Sequence, residues 1–165
     1  LERVIARAER TASSAAVLTL NVDRFRSIND TLGHAGGDKL LRELAHRLKA
    51  ALRRSDTLAR LNGDELAIVL DGVEGERDVE IVTERLHQTV HEPLVVDEHK
   101  ILATASIGVA IYPADGRTGS ELIASAAKAL LSSKSAPKRL ESVERSRSPR
   151  PGTPTRPGLG PKPER

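Results

Sequence analysis

Asn62-Gly63 constrains this chain more than any other pair of residues, because both tolerate positive φ and apolar runs lie on either side. Leu58 to Leu61 and Leu66 to Leu70 read as two short strands, so the segment predicts a β-hairpin closed by a type I′ turn. Asp64 and Glu65 follow the turn directly and leave two carboxylates at its tip. A second strand is predicted upstream, where Ala15 to Val22 is rich in Val, Thr and Leu. Its alternation sets Val17, Thr19, Asn21 and Asp23 on one face and Leu18, Leu20 and Val22 on the other. Apolar strands that end in acids beside a glycine turn suit one task, holding a divalent cation against phosphates. Position 21 breaks the pattern by carrying an amide where a metal site prefers a carboxylate.

The remaining elements follow from periodicity. Residues 36–53 predict an amphipathic helix, with Leu41, Leu44, Leu48 and Leu52 at three- and four-residue steps. Val79, Val82, Leu86 and Val90 mark another, which Pro93 stops. Leu94 to Val96 then predicts a strand paired with Ile101 to Tyr112. A last helix opens at Thr118-Gly119-Ser120-Glu121, the pattern of a capping box, and shows Leu122, Ala126 and Leu130 on one face. The fold class expected is α/β, an α+β sandwich in which a single mixed or antiparallel sheet of about five strands is covered by helices. No internal repeat is evident.

Charge and proline divide the chain. Of 165 residues, those from 137 onward hold seven of the nine prolines and almost no apolar bulk. Such a segment cannot bury enough surface to offset its ordering entropy, so 137–165 is expected to be a disordered basic tail. The tail carries more positive charge than the whole chain's net +3, which leaves the rest mildly acidic. A nucleic-acid partner is therefore not expected, since that needs a basic stripe on a folded face, and the tail has no aromatic residue for stacking. There is no cysteine, hence no disulfide or thiolate metal site. No apolar run approaches ~20 residues, so neither a transmembrane helix nor a secretory leader is expected. The opening at Leu1 rather than Met reads as a fragment. The expectation is a cytoplasmic domain, with any membrane attachment supplied by a part upstream.

Three motifs in order carry a resemblance to a known family: NVDRFRSINDTLGHAGGD at Asn21 to Asp38, Arg53-x-x-Asp56 ahead of RLNGDEL, and ASIGVAIYP at Ala105 to Pro113. Together they resemble the GGDEF domain of diguanylate cyclases over about Ala16 to Lys138. The family's usual opening, with its Leu-Thr-Gly-Leu and Asn-Arg signature, is missing. On this resemblance residues 1–14 are a helical lead-in and 15–136 the GGDEF domain, with the family's cyclase-like sheet. The implied reaction condenses two GTP to cyclic di-GMP and pyrophosphate across a homodimer, with two Mg²⁺ or Mn²⁺ bridging the phosphates. The resemblance further implies that Asn29 and Asp38 read the guanine edge. Phe25, Arg26, Gly63, Lys134 and Lys138 would meet the nucleotide and its phosphates. Asp64 and Val22 would hold metal, with Glu65 a second carboxylate near the attacking hydroxyl. Arg53 and Asp56 match the family's inhibitory product site, where a guanidinium forks onto phosphate or guanine and the acid accepts guanine N–H groups.

Departures from the pattern bear on activity. Asn21 stands where the family keeps its first metal-binding aspartate, and Asp23 is the nearest substitute carboxylate. Asn62 replaces the first signature glycine and adds a side chain where the backbone approaches nucleotide. Leu66, Leu131 and Pro137 replace a phenylalanine, a tyrosine and a glycine. Losing one metal carboxylate costs orders of magnitude of rate. The reading is a degenerate GGDEF domain with little or no cyclase activity, retaining cyclic di-GMP binding at Arg53 and Asp56 or weak GTP binding at Asn29 and Asp38. A working cyclase resting on Asp23, Asp64 and Glu65 is one alternative, and a dimerisation scaffold without nucleotide is another. Plainer roles stand beside the sharp ones: hairpin acids for Asp64 and Glu65, caps for Asn29 and Asp38, a helix C-terminal cation and turn residue for Arg53 and Asp56. The scattered His46, His87, His91 and His99 show no metal spacing, and His34 belongs to the turn motif.

Overall fold

A computed structural model describes residues 1–135, and the proline-rich tail, with Pro137 and Lys138, lies outside the described residues. The chain runs α1 (Glu2–Thr11), β1 (Ser14–Val22), α2 (Phe25–Ala51), β2 (Thr57–Asn62), β3 (Glu65–Val73), α3 (Glu76–His91), β4 (Leu94–Val96), β5 (His99–Ile101), β6 (Ala105–Tyr112) and α4 (Gly119–Ser135). Four strands form one antiparallel sheet in the order β2-β3-β1-β6, and β4 and β5 form a separate two-stranded ribbon.

The period-two pattern of β1 divides the molecule into layers. Leu18, Leu20 and Val22, with Leu66, Ile68 and Leu70 of β3, face the leucines of α2 and the valines of α3. Ala15 and Val17, with Ala110 and Tyr112 of β6, face Ile5 and Ala8 of α1 and Leu122 and Ala126 of α4. The α/β class is as expected, with helices on both faces of the sheet. Each fully buried leucine in these layers contributes about 1.5–3 kcal/mol relative to exposure. Gly108 sets the depth of α4, because a Cβ there would meet the Ala126 carbonyl and the Leu130 backbone nitrogen. The capping box of α4 forms reciprocally: the Glu121 N–H donates to Thr118 Oγ1 at 3.2 Å, and the Thr118 N–H donates to Glu121 Oε2 at 3.2 Å.

Three details differ from the sequence reading. The main sheet has four strands rather than five, because β4 pairs with β5 and not with β6. The cause is a tight turn at Asp97 and Glu98, both at positive φ (45° and 69°), the geometry of a two-residue type I′ hairpin. The turn after Asn62 is different, since Asn62 pairs with Glu65 and only Gly63 takes positive φ, at 47°. Its central residues are thus Gly63 and Asp64, with glycine alone needed for the left-handed position. Finally, α2 starts at Phe25, eleven residues before the helix expected from its leucines. It is two helical segments broken at Gly33 (φ 73°, ψ 165°), the first seated on the core by Phe25, Ile28 and Leu32.

Candidate functional site

At the end of β1 the register places Asn21 between Glu65 of β3 and Ser106 of β6. All three belong to the face that α4 covers, which follows from the alternation of Ala15, Val17 and Asn21. The last turn of α4 brings Lys134 there, and its Nζ donates to Asn21 Oδ1 at 2.6 Å. An ammonium on an amide oxygen makes a charge-assisted bond, shorter and stronger than a neutral one. Asp23, two residues on, turns to β6: its Oδ2 accepts from Thr104 Oγ1 at 2.6 Å and its Oδ1 from Ser106 Oγ at 2.8 Å. Both of its oxygens are thus engaged by hydroxyls.

A cavity of about 500 Å³ opens beside this strand end. Asn21, Val22 and Asp64 form one wall, and Arg24, Phe25, Arg26, Asn29, Asp30 and His34 the other. The second wall is the start of α2, whose first amides have no intrahelical acceptor and meet neither a side-chain cap nor an acid in the first turn. Arg24 enters the helix at φ 53° and ψ 31°, a left-handed conformation that costs about 1–2 kcal/mol for a residue with a side chain. The result is a helix N-terminus with its positive dipole end and two guanidinium groups beside a concave surface, the arrangement that receives phosphate.

The residues singled out from sequence divide accordingly. Asn21, Val22, Phe25, Arg26, Asn29 and Asp64 share the cavity, and Lys134 reaches its edge through Asn21. Asn29 Oδ1 is buried against Gly37 and has no partner among the described residues. Asp38 is held elsewhere: Arg60 donates to its Oδ1 at 3.1 Å and to the Gly63 carbonyl at 2.8 Å, tying α2 to the hairpin tip. The sequence reading missed Arg60 and gave no role to Arg24 or Asp30. A basic residue just ahead of an Asn-Gly turn was the available signal for Arg60. Glu65 sits beside Asn21 in register without lining the cavity. Among the described residues no group of three or more His, Cys, Asp or Glu side chains converges as a ligand set for an ion.

Arg53 and Asp56 lie at the other end of β3. Asp56 is 4% exposed. Its Oδ2 accepts the Arg53 N–H at 2.8 Å, its carbonyl accepts Lys49 Nζ at 2.6 Å, and its N–H donates to the Arg53 carbonyl at 3.0 Å. The acid therefore closes the loop that follows α2, while the Arg53 side chain faces solvent. The adjoining cavity is about 10 Å³, the room of a single water. Glu121 has its pKa held below the ordinary value of 4.5 by the backbone N–H groups of Arg117 and Thr118, then by the Thr118 hydroxyl and the charge of Arg117.

Comparison with known proteins bears on this arrangement. The family described as "Diguanylate cyclase, GGDEF domain" matches residues 1–139. The bifunctional diguanylate cyclase/cyclic di-GMP phosphodiesterase MucR of Pseudomonas aeruginosa is 39% identical over 134 residues, which cover 81% of this chain and 19% of that protein. The cyclic di-GMP phosphodiesterase NbdA of the same organism is 41% identical over 119 residues, 72% of this chain and 15% of that protein. The chain thus spans about a fifth or less of the length of these two relatives. Among solved structures, the GGDEF domain of TpbB (YfiN) from Pseudomonas aeruginosa superposes with a TM-score of 0.79 at 33% identity, covering 82% of this chain and 86% of that one.

Proposed function

Because the chain belongs to the GGDEF family of diguanylate cyclases, a family of cyclic di-GMP signalling, we propose that it is a nucleotide-binding member with little or no cyclase turnover. One observation carries this reading: Asn21, at the place of the family's first metal-binding aspartate, offers no charge and already accepts the Lys134 ammonium at 2.6 Å. The fit of the family's divalent ions can be judged from the donors present. Asp64 offers the cavity a carboxylate for a hard cation beside Val22, but Asp23 is engaged by Thr104 and Ser106 and Asn21 by Lys134. That set does not fit a pair of magnesium ions, which bind through carboxylates and phosphates at strict octahedral geometry.

Binding survives the same substitutions better than turnover does. The α2 N-terminus and the Arg24 and Arg26 side chains need no metal to attract a triphosphate, so GTP seats its phosphates at Phe25 and Arg26 with the base toward Asn29. The 3′-hydroxyl of a second GTP then lacks the cation pair that favours its alkoxide, and condensation stalls. At the far end of β3, Arg53 presents a solvent-facing guanidinium to cyclic di-GMP, with Asp56 fixing the loop rather than meeting the ligand.

Incubation of the protein with GTP and Mg²⁺ or Mn²⁺, followed by nucleotide chromatography, tests the central claim. We expect no cyclic di-GMP above a protein-free blank, and robust product formation overturns the reading. Asn21→Asp combined with Asn62→Gly is expected to bring product to at least about tenfold above that blank, since one metal carboxylate is worth orders of magnitude.

A further inference from the structure

The contact between Lys134 and Asn21 reaches further than the loss of turnover. Resting on the nucleotide-binding reading, we propose that this domain binds nucleoside triphosphate free of divalent metal, the Lys134 ammonium standing where an ion would otherwise meet the phosphates. Asn21 lines the cavity and its oxygen is 2.6 Å from Lys134 Nζ, which sets a fixed positive charge at the strand end. Across the cavity the α2 N-terminus carries no acid in its first turn and no side-chain cap, and Arg24 and Arg26 flank it. A triphosphate lying between the two walls therefore meets positive groups from both sides without an intervening ion.

The local chemistry also works against an ion. A carboxylate at position 21 would offer two oxygens, one for Lys134 and one for metal, and a charge to share between them. The amide has one oxygen and no charge, so ammonium and metal compete for it. Asp23 does not relieve that competition, because Thr104 and Ser106 engage both of its oxygens. Asp30 and Asp64 in the cavity and Glu65 beside Asn21 are the nearest other acids, and none of the three is ion-paired among the described residues. They lower the affinity for any polyanion without assembling a ligand set.

Calorimetric titration of the full 165-residue chain with GTP, once in EDTA and once in excess Mg²⁺, reads the difference directly. The wild type is expected to bind GTP in EDTA and to lose affinity at least threefold when Mg²⁺ neutralises part of the nucleotide's charge. Asn21→Asp is expected to reverse the order, with Mg²⁺ tightening binding at least tenfold. Lys134→Gln should weaken binding in EDTA by at least tenfold while Lys134→Arg retains it. Since Lys134 is exposed, its variants keep the test open even if Asn21→Asp folds poorly. Binding by the wild type only in Mg²⁺, or unchanged affinity of Lys134→Gln in EDTA, overturns the inference and leaves the nucleotide reading standing. Absence of GTP binding under both conditions overturns the nucleotide reading itself.

Discussion

An amide and a carboxylate differ by little in size, yet at position 21 the exchange decides what the neighbouring ammonium is paired with. The departure from an acid was legible in the sequence; its partner was not, because Lys134 is 113 residues away in the chain. Distance along the chain also hid the hydroxyls of Thr104 and Ser106 from Asp23 and so left that acid looking like a ready substitute. Asp56 was legible as one half of a four-residue motif, but its burial and its bond to the Arg53 N–H are properties of the folded loop. Removing a buried acceptor leaves its donor unsatisfied at a cost of about 1–3 kcal/mol. Asp56→Ala is accordingly expected to lose that much in urea denaturation, whereas Arg53→Ala, which leaves the loop's backbone bonds in place, should stay within about 0.5 kcal/mol of wild type.

Elements with a strong period read well. The leucines of α2, the valines of α3 and the Leu122, Ala126 and Leu130 face of α4 all turn inward as their spacing implies. The first segment of α2 escaped notice because its apolar contacts, Phe25, Ile28 and Leu32, are diluted by polar neighbours and cut off by Gly33. The Ile101 to Tyr112 run looked continuous, but the Asp97-Glu98 turn commits its first residue to a separate ribbon. The start of α4 supplies a pH prediction. Glu121 binds its proton less tightly in the folded protein than an ordinary glutamate, so its contribution is present above the unfolded value and lost as pH falls through the lower folded one. The melting-temperature advantage of wild type over Glu121→Gln is expected to hold at pH 7 and to shrink below about pH 4. An advantage that is constant across that range would contradict the assignment.

For the molecule as a whole, the antiparallel sheet separates the two regions proposed to bind nucleotide. Asn21 pairs with Glu65 at one end of β3 and Ala15 with Asp71 at the other. Six residues of strand are roughly 20 Å. The Arg53 loop touches the distal end and shares no lining residue with the larger cavity. Substitutions so far apart with no common partner act independently. Arg53→Ala is therefore expected to abolish the heat of cyclic di-GMP binding while leaving GTP affinity within about twofold. A parallel loss of both would mean that the two ends are coupled through the sheet.

Gly108 touches neither region, yet the seat it gives α4 governs how far Lys134 can lean toward Asn21. A mutational scan scored by ligand retention would flag this glycine as if it belonged to the pocket. Its phenotype would be an alignment fault that no trimming of a helix side chain relieves, because the atoms facing it are α4 backbone.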